Sequence, residues 1–170
     1  MKKSFRNHSQ EDTKLNRRAG GGQGLVEFAI ILPLMLMLLI GIIEFGRLAT
    51  TYAAVTSASR EAARYGAAVG NDGLGTVARY KDCVGIRSAA TRVASAFADI
   101  SGSDIVIQYD SGPGTITYSD CAPPVGAVQL GDRIIVRVET TYQPLLAVGL
   151  SPFQITSEAK RTIVKEVELK

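Results

Sequence analysis

The feature that most limits what this chain can become is the run from Leu25 to Ile43, LVEFAIILPLMLMLLIGII, in which one carboxylate, Glu27, is the sole charge. As a helix rising 1.5 Å per residue it extends about 28 Å, close to the hydrocarbon thickness of a bilayer. The run is long enough for one membrane span, and no other stretch of the sequence matches it in length and apolar character. The span is bounded by charge on both sides, with Arg17 and Arg18 before the glycine cluster Gly20–Gly22 and the Glu44/Arg47 pair after it.

Charge is distributed unevenly around that span. Of a net +3, the residues before Gly20 hold Lys2, Lys3, Arg6, Lys14, Arg17 and Arg18 against Glu11 and Asp12, a balance of +4, which leaves −1 for everything else. Lys and Arg favour the cytoplasmic side of a membrane, so the tail is expected inside and the C-terminal part outside. The chain is therefore expected to be a single-pass membrane protein with its N-terminus in the cytoplasm. A nucleic-acid partner is not expected, because the body is near neutral and carries no Lys/Arg stripe.

The exported side holds both cysteines, Cys83 and Cys121. In an oxidising compartment an even pair reads as one disulfide, the other reading being two unpaired buried thiols. Neither lies in a CxxC pair, so redox and zinc roles have no support.

Residues 1–18 are polar and without apolar periodicity, as in a disordered leader. A secretory signal would have a shorter apolar core followed by a small-residue cleavage site, which is missing here. The small residues precede the block instead. A phosphate-cradling loop at Gly20–Gly24 is disfavoured, since no strand precedes it and no GK[ST] follows. An extended, sterically open peptidase substrate suits these glycines better.

Basic residues, then Gly22, then Glu27 five positions later and Phe28 beside it, ahead of a long apolar helix, form a pattern that resembles type IV prepilins and their relatives. The wider string, with LVEFA at Leu25–Ala29, LP at Leu32–Pro33 and EFGR at Glu44–Arg47, is similar to the TadE-like pseudopilins of the tight-adherence (Flp) pilus systems. The resemblance implies a cut by a prepilin peptidase between Gly22 and Gln23. It also implies a role for Glu27 in assembly with other pseudopilins and pilus assembly proteins, with Phe28 in the same segment. Physical chemistry gives that role a basis. A carboxylate in an apolar membrane segment is rarely without a partner. Removal of Gly22 would give Gln23 a new α-amine at i, i+4 spacing from Glu27. The favourable dipole at a helix N-terminus is the plainer explanation of why Glu27 is tolerated.

Beyond the span the helical pattern continues through FGRLATTYAAVTSASREAARYGAAV, with Ala54, Ala58 and Ala62 on one face that would pack on the protein's own domain or on neighbouring subunits. Pro33 should kink or loosen the helix. Arg60, Glu61 and Arg64 read as a solvated face. Gly70, Gly73 and Gly75 with Asn71 and Asp72 break the helix. A second helix is expected over 76–98, with Val77, Tyr80, Val84, Ala90, Val93 and Phe97 at helical spacing. Strands follow at 105–109 and 115–118 around the turn former DSGPG, at 133–142 with Ile134, Val136 and Val138 on the buried face, and at 154–167. The apolar stretch from Leu145 to Phe153 is expected as a loop, and the ending RVETTY…PLL…ITSEAKRTIVK again resembles TadE-like proteins.

The expected organisation is a basic leader (1–22), a membrane helix with its extension (23–70) and an α+β domain (71–170) of helix packed on an antiparallel sheet. The one histidine, His8, falls in the leader, and no triad, HExxH or nucleophile elbow is visible. Asp104 and Asp110 read as turn formers. No enzyme activity, metal or cofactor is expected. The functional expectation is a minor pseudopilin or assembly component of a Tad (Flp-type) pilus. The alternative is an uncleaved membrane-anchored accessory or ligand-binding protein of the same machinery, using the Leu145–Phe153 loop as its contact surface.

Overall fold

The structure, a computed structural model, describes residues 20–129, 131–145 and 151–164, with Gly20 and Gly21 described by backbone alone. Most of the leader, including His8, and the centre of the 145–153 loop therefore lie outside the described residues. The chain divides into two compact units, Met1–Ile43 and Glu44–Lys170.

The first helix, α1, runs from Gly20 to Ala67 and passes through Pro33 without ending. Within the first unit every residue from Gly22 to Ile43 is exposed. This helix is long and apolar enough to cross a membrane.

The second unit is α+β, as expected. The strands are β1 (Ile105–Asp110), β2 (Ile116–Tyr118), β3 (Arg133–Tyr142) and β4 (Phe153–Thr162). They form one antiparallel sheet of order β2-β1-β3-β4. β3 pairs with β4 along its whole length, from Arg133 opposite Thr162 to Tyr142 opposite Phe153. β-Branched residues alternate along β3, and Ile134, Val136 and Val138 all point into the core. Against that face lies the second half of α1, presenting Val55, Ala58, Ala62 and Ala63. Small side chains let the helix approach closely. At Gly66 the approach is closer still, since a Cβ there would sit 2.5 Å from Ile134 Cδ1. The buried Ser59 shares a 3.0 Å hydrogen bond with Ser157 of β4.

The expected helix over 76–98 is shorter than its pattern. A 3-10 turn at Arg79–Lys81 precedes α2, which spans Cys83–Ala94. Two aspartates explain the late start. Asp72 accepts hydrogen bonds from the backbone N–H groups of Thr76 and Val77, diverting them into a turn, and Asp82 caps α2 by accepting from Gly85 N–H. The register of the buried face shifts with it. Ile86, Ala89, Ala90 and Ala94 are buried, whereas Val77, Val84 and Phe97, expected on the apolar face, are exposed. The final strand ends at Thr162, with the end of the expected range beyond Val164 outside the described residues.

Candidate functional site

At the N-terminal end of α1 the expected processing and assembly residues lie together on one exposed stretch. Gln23 Nε2 donates to Glu27 Oε1 at 3.3 Å, the i, i+4 geometry of a helix surface. Phe28, next to the carboxylate, is 57% exposed. The glycine run corrects one expectation, because α1 already begins at Gly20 and the segment around Gly22 and Gln23 is helical, not extended. Glycine is about 1 kcal/mol less favourable than alanine in a helix interior. This turn is held by propagation from the apolar helix behind it. Steric openness does hold, as a Cβ at Gly22 or Gly24 would meet nothing within 4 Å. Among the described residues no packing requires glycine at either position.

Where the apolar run ends, a second cluster forms that sequence reading did not foresee. Glu44 accepts 2.7 Å from the Tyr142 hydroxyl and 3.2 Å from the Leu145 backbone N–H, and pairs with Arg47 at 3.3 Å. The Arg47 guanidinium lies 5.5 Å over the Tyr142 ring, whose other neighbour is Phe153 at 5.4 Å between centroids. Burial and the Glu44 carboxylate together raise the Tyr142 hydroxyl above the usual phenol range. The end of β3 and the following turn are thus fixed to the first residue of the globular unit. Both strings, EFGR and TTYQPLL, stood out in the sequence separately. Their 98-residue separation gave no sign that they meet.

At the other end of β3, Asp110 is buried, and Arg133 grips it with two hydrogen bonds of 2.7 and 2.6 Å. That bidentate pair holds the Asp110 carboxyl below the usual carboxylate range, and it corrects the reading of Asp110 as a simple turn former. Asp104 does cap locally, accepting from the Ser101 hydroxyl and backbone N–H, which lowers its pKa. Cys83, at the start of α2, is joined to Cys121 by a disulfide with Cα atoms 5.7 Å apart. Nearby, the buried Tyr109 hydroxyl donates to the Tyr80 carbonyl, and burial raises its pKa.

A polar groove of about 530 Å³ runs beside Arg47, Thr51, Asp99, Glu139 and Gln143. Its walls are joined by hydrogen bonds from Thr51 to the Phe97 carbonyl and from Thr140 to the Asp99 carbonyl. Among the described residues no three His, Cys, Asp or Glu side chains are grouped to hold a metal ion.

The described residues thus combine one helix long and apolar enough to cross a membrane with a small α+β unit. Residues 22–64 match the family model of TadE-like proteins, the family to which the motifs pointed. No curated protein and no solved structure matches the chain.

Proposed function

We propose that the protein is a minor pseudopilin of a Tad (Flp-type) pilus. It is made as an inner-membrane precursor with the basic leader in the cytoplasm, cut by a prepilin peptidase between Gly22 and Gln23, and assembled through the exposed half of α1. The observation that carries this reading is the family match, which opens at Gly22 and covers the helix through Arg64. The exposure of every residue from Gly22 to Ile43 supports it, since this surface is left uncovered by the described residues. The absence of packing around Gly22 supports a glycine selected by an outside agent, the peptidase.

Among the described residues the Glu27 carboxylate accepts its hydrogen bond from the neutral side-chain amide of Gln23. After the cut it would face a charged α-amine, on its own helix or on a neighbour's, and this charge-assisted contact is stronger than the amide contact. Cleavage thereby turns an awkward membrane carboxylate into an assembly contact. The role is structural, with the protein as the substrate of an enzyme. Glu27→Ala is expected to leave membrane insertion unchanged and to reduce the amount of protein recovered in sheared filaments. Full recovery of the variant in that fraction would remove Glu27 from the mechanism.

A further inference from the structure

We infer that the rim of the globular unit formed by Phe45, Leu145 and Phe153, with Arg47 beside it, is a lipid-binding seat that rests on the bilayer surface. The inference depends on the reading of Leu25–Ile43 as a membrane span, and the experiment below separates the two.

Covalent continuity supplies the first part of the argument. Glu44 directly follows Ile43, the last residue of the apolar run, and Phe45 is one residue farther. A chain advances at most about 3.3–3.6 Å per residue, and the headgroup zone is about 5–8 Å deep on each side of the hydrocarbon, so both residues lie within that zone. Hydrogen bonding then brings distant residues to the same level. Leu145 is held by its backbone N–H to the Glu44 carboxylate at 3.2 Å, and Tyr142 by its hydroxyl at 2.7 Å. Phe153 follows, because its ring packs on Tyr142.

Among the described residues these three side chains leave apolar surface exposed. Phe45 is 71% exposed, Leu145 62% and Phe153 41%. Apolar groups at such a level remove surface from water by dipping toward the acyl chains. Arg47 completes the chemistry. One guanidinium nitrogen is used by Glu44, its side chain remains 42% exposed, and its free N–H donors suit a lipid phosphate. The seat is therefore apolar with one cation at the level of the phosphates. This is the pattern of an interfacial anchor, and it continues the membrane contact that the span begins.

The chain contains no tryptophan, so single substitutions give clean fluorescent reporters. Full-length Leu36→Trp, Leu145→Trp and Val84→Trp are reconstituted into phosphatidylethanolamine/phosphatidylglycerol vesicles containing brominated lipid. Val84 is 79% exposed and lies in the first turn of α2, near Tyr80, whose carbonyl accepts from Tyr109, opposite Ile134 and eight residues along β3 from Tyr142. The expected result is that Leu36→Trp loses emission to bromines near the chain ends. Leu145→Trp should shift to the blue and lose most of its emission to bromines near the glycerol, while Val84→Trp stays unquenched. Quenching at Leu36→Trp without quenching at Leu145→Trp would overturn the seat and leave the span intact. A blue shift at Leu145→Trp that is insensitive to bromine and fades on dilution of protein in the vesicles would assign the rim to a second copy, and so also overturn it. Failure at Leu36→Trp would remove the span and the seat together.

Discussion

The two halves of α1 share one backbone and one helical assignment, yet they obey opposite rules. From Gly22 to Ile43 every residue is exposed, most of them large and apolar, with Leu34 at 70% and Met37 at 71%. From Glu44 to Ala67 the inward residues are small, and Val55, Ala58 and Ala62 are fully buried. The first half carries apolar surface far beyond what a water-soluble helix tolerates, which suits a lipid solvent. The second half carries little apolar bulk but good fit, which suits packing against a sheet. Hydrophobicity and burial are therefore separate properties in this helix, and each half shows where the other gains its stability.

The comparison predicts that perturbing the globular unit leaves the first half of α1 in the membrane. The largest effect is expected from Cys83→Ser with Cys121→Ser. Opening the 38-residue separation should cost the globular unit about 3–4 kcal/mol in the chain-entropy model, read as a lowered thermal midpoint with unchanged membrane retention. Loss of membrane retention in this variant would show that the two halves are not independent.

Next in size is Asp110→Asn, expected to cost about 1.5–3 kcal/mol by removing a charge-assisted pair from a buried site. The wild-type pair also has a pH signature. The carboxyl is depressed below its ordinary value of 3.8, so its contribution is fully present above that pH and is lost as pH falls through the lower folded value. Acid titration of stability should show this loss below about pH 4 in the wild type and a shallower loss in Asp110→Asn.

The most direct contrast sets Ala58→Leu against Leu36→Ala. The first adds bulk to a fully buried site and should destabilise the globular unit by about 1–3 kcal/mol. The second trims a residue that touches nothing in this unit and should change its unfolding by less than about 0.5 kcal/mol. Equal effects, measured by denaturant unfolding in detergent, would erase the distinction between the halves.

Legibility in the sequence followed the range of the interactions. β3 was readable to its end residues, Arg133 and Tyr142, because alternating β-branched residues state both the strand and its buried face. The β1–β2 hairpin was readable from DSGPG, although pairing reaches only Ile116. The α2 boundaries were not readable by period alone, because side chains of Asp72 and Asp82 compete with helix for backbone N–H groups. The small-residue face of Ala54, Ala58 and Ala62 was visible, but whether its partner was the sheet or another subunit required the fold. Buried Ile135, which points away from α1, lacked any signal in a strand read as one dry face and one wet face. The Glu44–Tyr142–Leu145 cluster lay furthest from reach, since each residue has an ordinary local explanation and only tertiary structure joins them. At the proposed processing site, residue types gave Gly22, Gln23 and Glu27 as a group, while the helical state of the glycines depends on the apolar helix that follows.

The central claim is that the leader is removed to create the charged partner of Glu27. Intact-mass and N-terminal sequence measurement on protein purified from cells that carry the prepilin peptidase tests it most directly. The account predicts a chain beginning at Gln23, as a free or methylated amine or as the pyroglutamate that an N-terminal glutamine forms. A chain that retains residues 1–22 in those cells contradicts it.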